Sequence, residues 1–403
     1  MRMMVLRMRL LLAGLCVALA AACGGAGDSF LAGVGSGGTG GGTPTSALGR
    51  ITGFGSVIVN GVRFDDSAAR VVDDDGRDLG DASLRLGMVV LVDGTSDASG
   101  LTGVASNIEV ISELRGPVQT VSADSFRALG VTVGVSPATV LDGFAGLSEL
   151  SPGAQVEVNG FLDAGVGQIV ATRVALLPGA PSSFKARGLV GAVAGQAQTM
   201  QFGSLIVDYS AATLVGLPDG PKSGAVVKLT SSRAPGIDNV WRVDAVELIE
   251  APALQESSRV SLEGSISEFA SVGAFTVQGV RVNATSARFD GGTAASLGDG
   301  VRVEVDGIVT GGVLEAVEVE IEDARASGGD GGTSELQQFE IEGAITSVSG
   351  PLRFVVRGTA VDANQAQLEG GSAASVVVGR QVHVKGRSVV DGVLKADLVH
   401  FED

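Results

Sequence analysis

The sequence predicts an all-β chain of five tandem modules, each a small β-barrel with an OB-like layout of about 65 residues, and three observations predict it. A set of glycine and aliphatic anchors recurs five times, its strand segments alternate apolar and polar residues with period two, and no stretch beyond the N-terminal region holds a helical period. Length alone, 403 residues, suggests two or three domains. The spacing of the anchors replaces that number with five.

The composition sets the bounds. At 45% hydrophobic and 18% charged the chain can bury cores, although 61 residues are glycine. A formal charge of −17 argues against nucleic acid, whose phosphates demand clustered lysine and arginine. Two cysteines exclude a disulfide scaffold and a zinc ribbon.

Residues 1–22 read as a signal peptide: Arg2, Arg7 and Arg9 precede an apolar run from Leu10 to Ala22 that is too short to span a bilayer. The run ends at Leu19-Ala20-Ala21-Ala22-Cys23, which resembles the lipobox of bacterial lipoproteins, whose cysteine becomes the lipidated first residue. By the same resemblance Gly24, in the place of an aspartate, implies the outer membrane of a Gram-negative envelope. Cys23 is thus the expected lipidation site and the membrane, reached through its lipid, the expected partner. Removal of the three arginines takes the formal charge from −17 to −20. Residues 23–48 are rich in Gly, Ser and Thr and are expected to be a flexible tether. Its two G-x-G-x-x-G matches neither follow a strand nor open a helix, so they carry no dinucleotide reading.

The modules are placed at 49–112, 113–179, 184–252, 257–324 and 339–403, with a Gly-rich linker at 325–338. The first anchor is a glycine and an aliphatic two residues on: Gly49/Ile51, Gly116/Val118, Gly188/Val190, Gly264/Ile266 and Gly343/Ile345. The second is a glycine opening a strand, Gly87, Gly153, Gly224, Gly300 and Gly379, at distances of 38, 37, 36, 36 and 36 residues from the first. A closing A-x-x-[IVL] follows at Ala105, Ala171, Ala245, Ala316 and Ala396. Asn60–Gly61 and Asp391–Gly392 are hairpin turn signals, and Asp93–Gly94, Asn159–Gly160 and Asp306–Gly307 are read as turns closing the later strand. Closing so small a sheet removes its bare edges, which favours a barrel; a flat sandwich spread across repeats is the alternative. The short junction at 108–121 implies a stiff joint, and the linker at 325–338 implies a hinge, giving a rod of four modules with a mobile fifth.

The pattern G-x-[IV], F-x-V-x-G-x-x-V, G-x-x-V-x-V-x-G and A-x-x-[IV] resembles the repeat of DUF5666, a bacterial domain of unknown function found in secreted or lipid-anchored proteins. The third copy departs most, with Ser231 in place of a glycine and Pro218 and Pro221 ahead of its second anchor. The resemblance implies an OB-like layout. It implies no activity and no site residues.

Candidate chemistry is sparse. His383 and His400 occupy positions held in sister modules by Leu91, Glu157, Lys228 and Glu304, and by Glu109, Ala175, Ile249 and Glu320, so they read as solvated strand positions. No nucleophile elbow, phosphate loop, H-E-x-x-H or C-x-x-C occurs, and no catalytic residue is named. No cofactor is implied beyond calcium, for which the run Asp73, Asp74, Asp75, Gly76, Arg77, Asp78 supplies Asp73, Asp75 and Asp78 as candidate ligands, without the closing glutamate of a calcium loop. Trp241 and Tyr209, each the single residue of its type, make the third module the candidate glycan or small-ligand site. The expected function is a non-enzymatic, lipid-anchored envelope protein acting as a spacer or binding array for an envelope protein or glycan. Glycan binding and an envelope enzyme are the alternatives.

Overall fold

A computed structural model describes residues 42–322 and 338–402. Residues 1–22, Cys23 and all but the last residue of the linker at 325–338 lie outside them. The all-β expectation holds: every described element is a strand or a single 3₁₀ turn.

In the first repeat, β1 (Thr43–Phe54), β2 (Val57–Val59), β3 (Val62–Asp65), β4 (Arg70–Asp73), β5 (Val89–Ser96) and β6 (Thr102–Ile111) follow one another. Antiparallel pairing joins β1 to β2, β2 to β3, β6 to β5 and β5 to β1, while β3 and β4 lie parallel to β6. The circuit returns to β1. Asn60 and Gly61 both take positive φ, +50° and +70°, the two-residue turn that matches strand twist. The same circuit recurs in the strands of 114–176, 184–248, 259–321 and 339–401. In the third, the closing strand is broken into Val240–Arg242 and Ala245–Leu248.

Two glycine classes explain the anchors. The second-anchor glycines all take φ between +77° and +92°, a left-handed turn that side chains disfavour. The glycines of Asp93–Gly94, Asn159–Gly160 and Asp306–Gly307 correct an expectation, because these pairs are bulges inside strands and not turns. A Cβ on Gly94 would lie 2.1 Å from the Val104 carbonyl oxygen across the ladder, and Gly160 and Gly307 meet their partners at 2.3 Å. Close backbone approach, not turn geometry, selects glycine there.

Corrections also fall on the tether and the rod. Thr43–Leu48, assigned to the tether by composition, is the first half of β1 and pairs with β5 on one side. On the other, Thr45–Leu48 runs parallel to Arg259–Leu262 of the fourth repeat. Farther along, Gly53 and Phe54 pair in parallel with Glu340 and Ile341 of the fifth. The described residues from Gly42 onward therefore form one compact unit. Ile51, Phe64 and Val92 share a core with Ile341, Phe354 and Val384, so the first and fifth repeats are fused. A second core joins the second and third repeats, and a third seats Leu48, Val89 and Phe161 on the fourth. Strand edges that a rod would leave bare are covered by neighbouring repeats.

Candidate functional site

The first four repeats meet around a cleft whose charged residues come from strands and from the short segments that follow them. Asp74 follows β4, Glu109 lies on β6, and Glu113 lies between β6 and the strand Leu114–Val121. Lys185 and Arg187 alternate along Phe184–Ala194, and Lys228 stands beside them on Val226–Ser231, paired in register with Arg187. Alternation places these cations on one face. Here that face is covered by the turn after β4.

Lys185 pairs with Asp74, and Arg187 Nη2 reaches the other Asp74 oxygen at 2.7 Å. Lys228 Nζ contacts Asp75 Oδ1 at 3.0 Å and Glu247 Oε2 at 2.9 Å, and donates to the Asp74 carbonyl oxygen at 3.1 Å. Burial alone would raise Asp74, but Lys185 and Arg187 outweigh it and hold the carboxyl below its usual range. Glu113 differs. It is buried, its nearest cation is Arg187 Nη1 at 4.0 Å, and burial pushes it up. Burial also raises Glu109, with Asp74 adding to the effect. Two cavities of about 370 Å³ and 490 Å³ open here, both lined by Glu113, Arg187, Ile249, Glu250 and Gln278.

A second buried cluster lies where β1 meets the fourth repeat. The Arg50 backbone N–H donates to Glu263 Oε2 at 3.0 Å, and Arg302 Nη2 lies 2.8 Å from both Glu263 Oε1 and Glu322 Oε2. Against the upward pull of burial, Arg50 and Arg302 hold Glu263 below its usual range. Burial raises Glu322 to about 7, with Glu263 adding to the rise, and Asp306 to about 6; Glu304 also lies well above the ordinary range.

The residues singled out from the sequence fare differently. Asp73, Asp75 and Asp78, the candidate calcium ligands, each have a partner within the protein. Asp73 Oδ1 accepts the Arg77 N–H at 2.8 Å and closes the turn, Asp75 is held by Lys228, and Asp78 accepts the Gly80 N–H at 3.2 Å. Among the described residues no three His, Cys, Asp or Glu side chains gather as a metal shell. Trp241 and Tyr209 are core residues, not a stacking platform: Trp241 is 0% exposed, packs in the core of the second and third repeats, and donates its Nε1–H to the Arg233 carbonyl at 2.9 Å. A large ring in a sheet is worth more buried than displayed. His383 and His400 pair directly across two strands, His383 beside Glu340 at 3.2 Å and His400 facing Glu369 at 3.7 Å. Sequence reasoning missed Glu113, Lys185, Arg187 and Lys228. Their only signal was a pair of alternating cations, Lys185 and Arg187, which is also the mark of a solvated strand face.

Repeated strand circuits fused around a charged cleft define an all-β tandem-repeat protein. The chain belongs to DUF5666, a family described as a domain of unknown function, which matches at residues 48–109, 115–175, 263–320 and 342–400. The third set of strands falls between matched segments, where the sequence departs most from the pattern. A comparison with curated proteins finds no match.

Proposed function

We propose that this chain is a non-enzymatic, lipid-anchored binding protein of the bacterial cell envelope, and that each of its five repeats, the unmatched third included, is an OB-like barrel. The circuit β1-β2-β3-β6-β5-β1, with its single parallel step from β3 to β6, supports the barrel reading. The basic start, the apolar run and Cys23 support the address. One observation carries the binding reading: two cavities at the junction share a lining that includes Glu113, a buried carboxyl raised by burial and held only loosely by Arg187 Nη1 at 4.0 Å. A cavity with a few convergent polar groups is the ordinary place for a ligand.

Palmitate labelling of the wild type beside Cys23→Ala tests the anchor; equal labelling of the two rejects it. Thermal-shift screening against fractionated envelope extract tests the cleft. A fraction that stabilises the wild type and not Glu113→Gln is expected. Stabilisation that survives this substitution rejects the cleft as the site.

A further inference from the structure

We propose that the fifth repeat carries a transition-metal site in which His383 and His400 bind one copper(II) ion through their imidazoles. The site lies apart from the junction cleft, and the inference does not rest on the binding reading above.

The only two histidines of the chain stand directly opposite each other on the strands Gln381–Val390 and Val393–Phe401. Their neighbours Val382, Val384, Val399 and Phe401 are buried, so by alternation both rings leave the outer face of the sheet, where each reaches solvent. Opposed residues of an antiparallel pair have Cβ atoms about 5 Å apart, which lets two imidazoles close on one ion. In the other repeats the same slot holds Leu91 and Glu109, Glu157 and Ala175, Lys228 and Glu247, and Glu304 and Glu320. The fold therefore demands no particular pair there, and packing does not account for two imidazoles.

Each ring has one nitrogen engaged and one left over. His383 Nε2 lies 3.2 Å from Glu340 Oε2, and His400 Nδ1 lies 3.7 Å from Glu369 Oε2. A carboxylate only accepts, so the nitrogen facing it carries the hydrogen and the other nitrogen of a neutral ring presents its lone pair. His383 Nδ1 and His400 Nε2 are thereby the ligand atoms, each ring oriented by a carboxylate as metal-binding imidazoles commonly are. The cations beside the pair, Arg63 and Lys385, both lie against Glu340, while Glu342 stands opposite His383 in register.

The donor set selects the ion. Imidazole suits copper, and among first-row divalent ions affinity for nitrogen sites peaks at copper(II), whose tetragonal shell two imidazoles and water can fill. Zinc sites take three or four protein ligands, and among the described residues no such group gathers. Calcium takes a shell of oxygens.

The test adds one equivalent of copper(II) to the full chain, without an affinity tag, and reads electron paramagnetic resonance, which counts the nitrogens on the ion. One bound ion with two imidazole nitrogens is expected. His383→Leu and His400→Ala introduce residues that the same slot holds in sister repeats, Leu91 and Ala175, so both variants keep the fold. Each is expected to leave a single imidazole nitrogen on the ion and to weaken binding at least tenfold in titration calorimetry. Calcium in excess is expected not to displace the copper. Copper held by oxygens alone, a two-nitrogen signal that persists in the double variant, or an affinity indifferent to both substitutions overturns the proposal. Displacement by calcium assigns the ion to surface carboxylates and overturns it as well.

Discussion

Asp74 and Lys185, 111 residues apart in the chain, form an ion pair in which each side chain is 1% exposed. The pair joins the turn after β4 to the third repeat, and removal of Asp74 strands the buried Lys185 charge. Asp74→Asn is expected to cost roughly 3–5 kcal/mol of stability, and Lys185→Met less, because Arg187 still holds Asp74. In a urea-denaturation double-mutant cycle, Asp74→Asn with Lys185→Met costs less than the sum of the single changes, with coupling above about 1 kcal/mol. Additive losses would show that the two side chains do not interact.

The fourth-repeat seam makes stability depend on pH. Glu322 is raised to about 7 and Asp306 to about 6. The folded state therefore keeps protons that the unfolded state has already lost, so these groups destabilise the fold as pH rises from about 4 to about 7. Asp74 and Glu263 act in the opposite sense, and their contribution is lost as pH falls below the ordinary carboxylate range. Stability measured by urea denaturation is expected to fall between pH 5 and pH 8, and Glu322→Gln to remove an amount on the order of 3 kcal/mol from that fall. A wild-type slope retained in Glu322→Gln refutes the assignment.

Bulge glycines and turn glycines respond differently to a methyl group. Gly61 takes φ +70° with open space around its Cβ position, so Gly61→Ala costs about 1 kcal/mol of backbone strain. Gly94→Ala drives a methyl against the Val104 carbonyl at 2.1 Å and forces the β5–β6 ladder apart, which costs more than about 2 kcal/mol. Denaturant midpoints of the two variants rank them.

Trp241 is structural. Trp241→Ala is expected to lower stability by about 3–5 kcal/mol through the void left in the core of the second and third repeats. Trp241→Phe keeps most of the volume and is expected to lose less than half as much. Equal losses would point to the hydrogen bond to the Arg233 carbonyl instead.

The repeat and its strands were legible because both follow local rules: period two shows in Phe275 to Val282, and a left-handed glycine recurs before each later strand. The contacts between repeats were not. Lys185 and Arg187 look in sequence like any charged strand face, and their burial depends on a turn more than 100 residues earlier. Thr43–Leu48 reads as tether because its own residues do not require a strand; its partners are β5 and, for Thr45–Leu48, Arg259–Leu262. Trp241 misled for the converse reason. An aromatic residue does not state which side of the sheet it faces when the register is unknown.

β1 has a consequence for assembly. It pairs with four strands, two of them its own and the others near residues 260 and 340. During synthesis β1 precedes the strands near 260 and 340 and is completed only when they dock, because long stretches of chain close those contacts. Such long loops slow folding, and until they close, the outer edge of β1 stays open to pairing with other chains. The exposure of β1 to such pairing thus ends with the docking of the fifth repeat onto it.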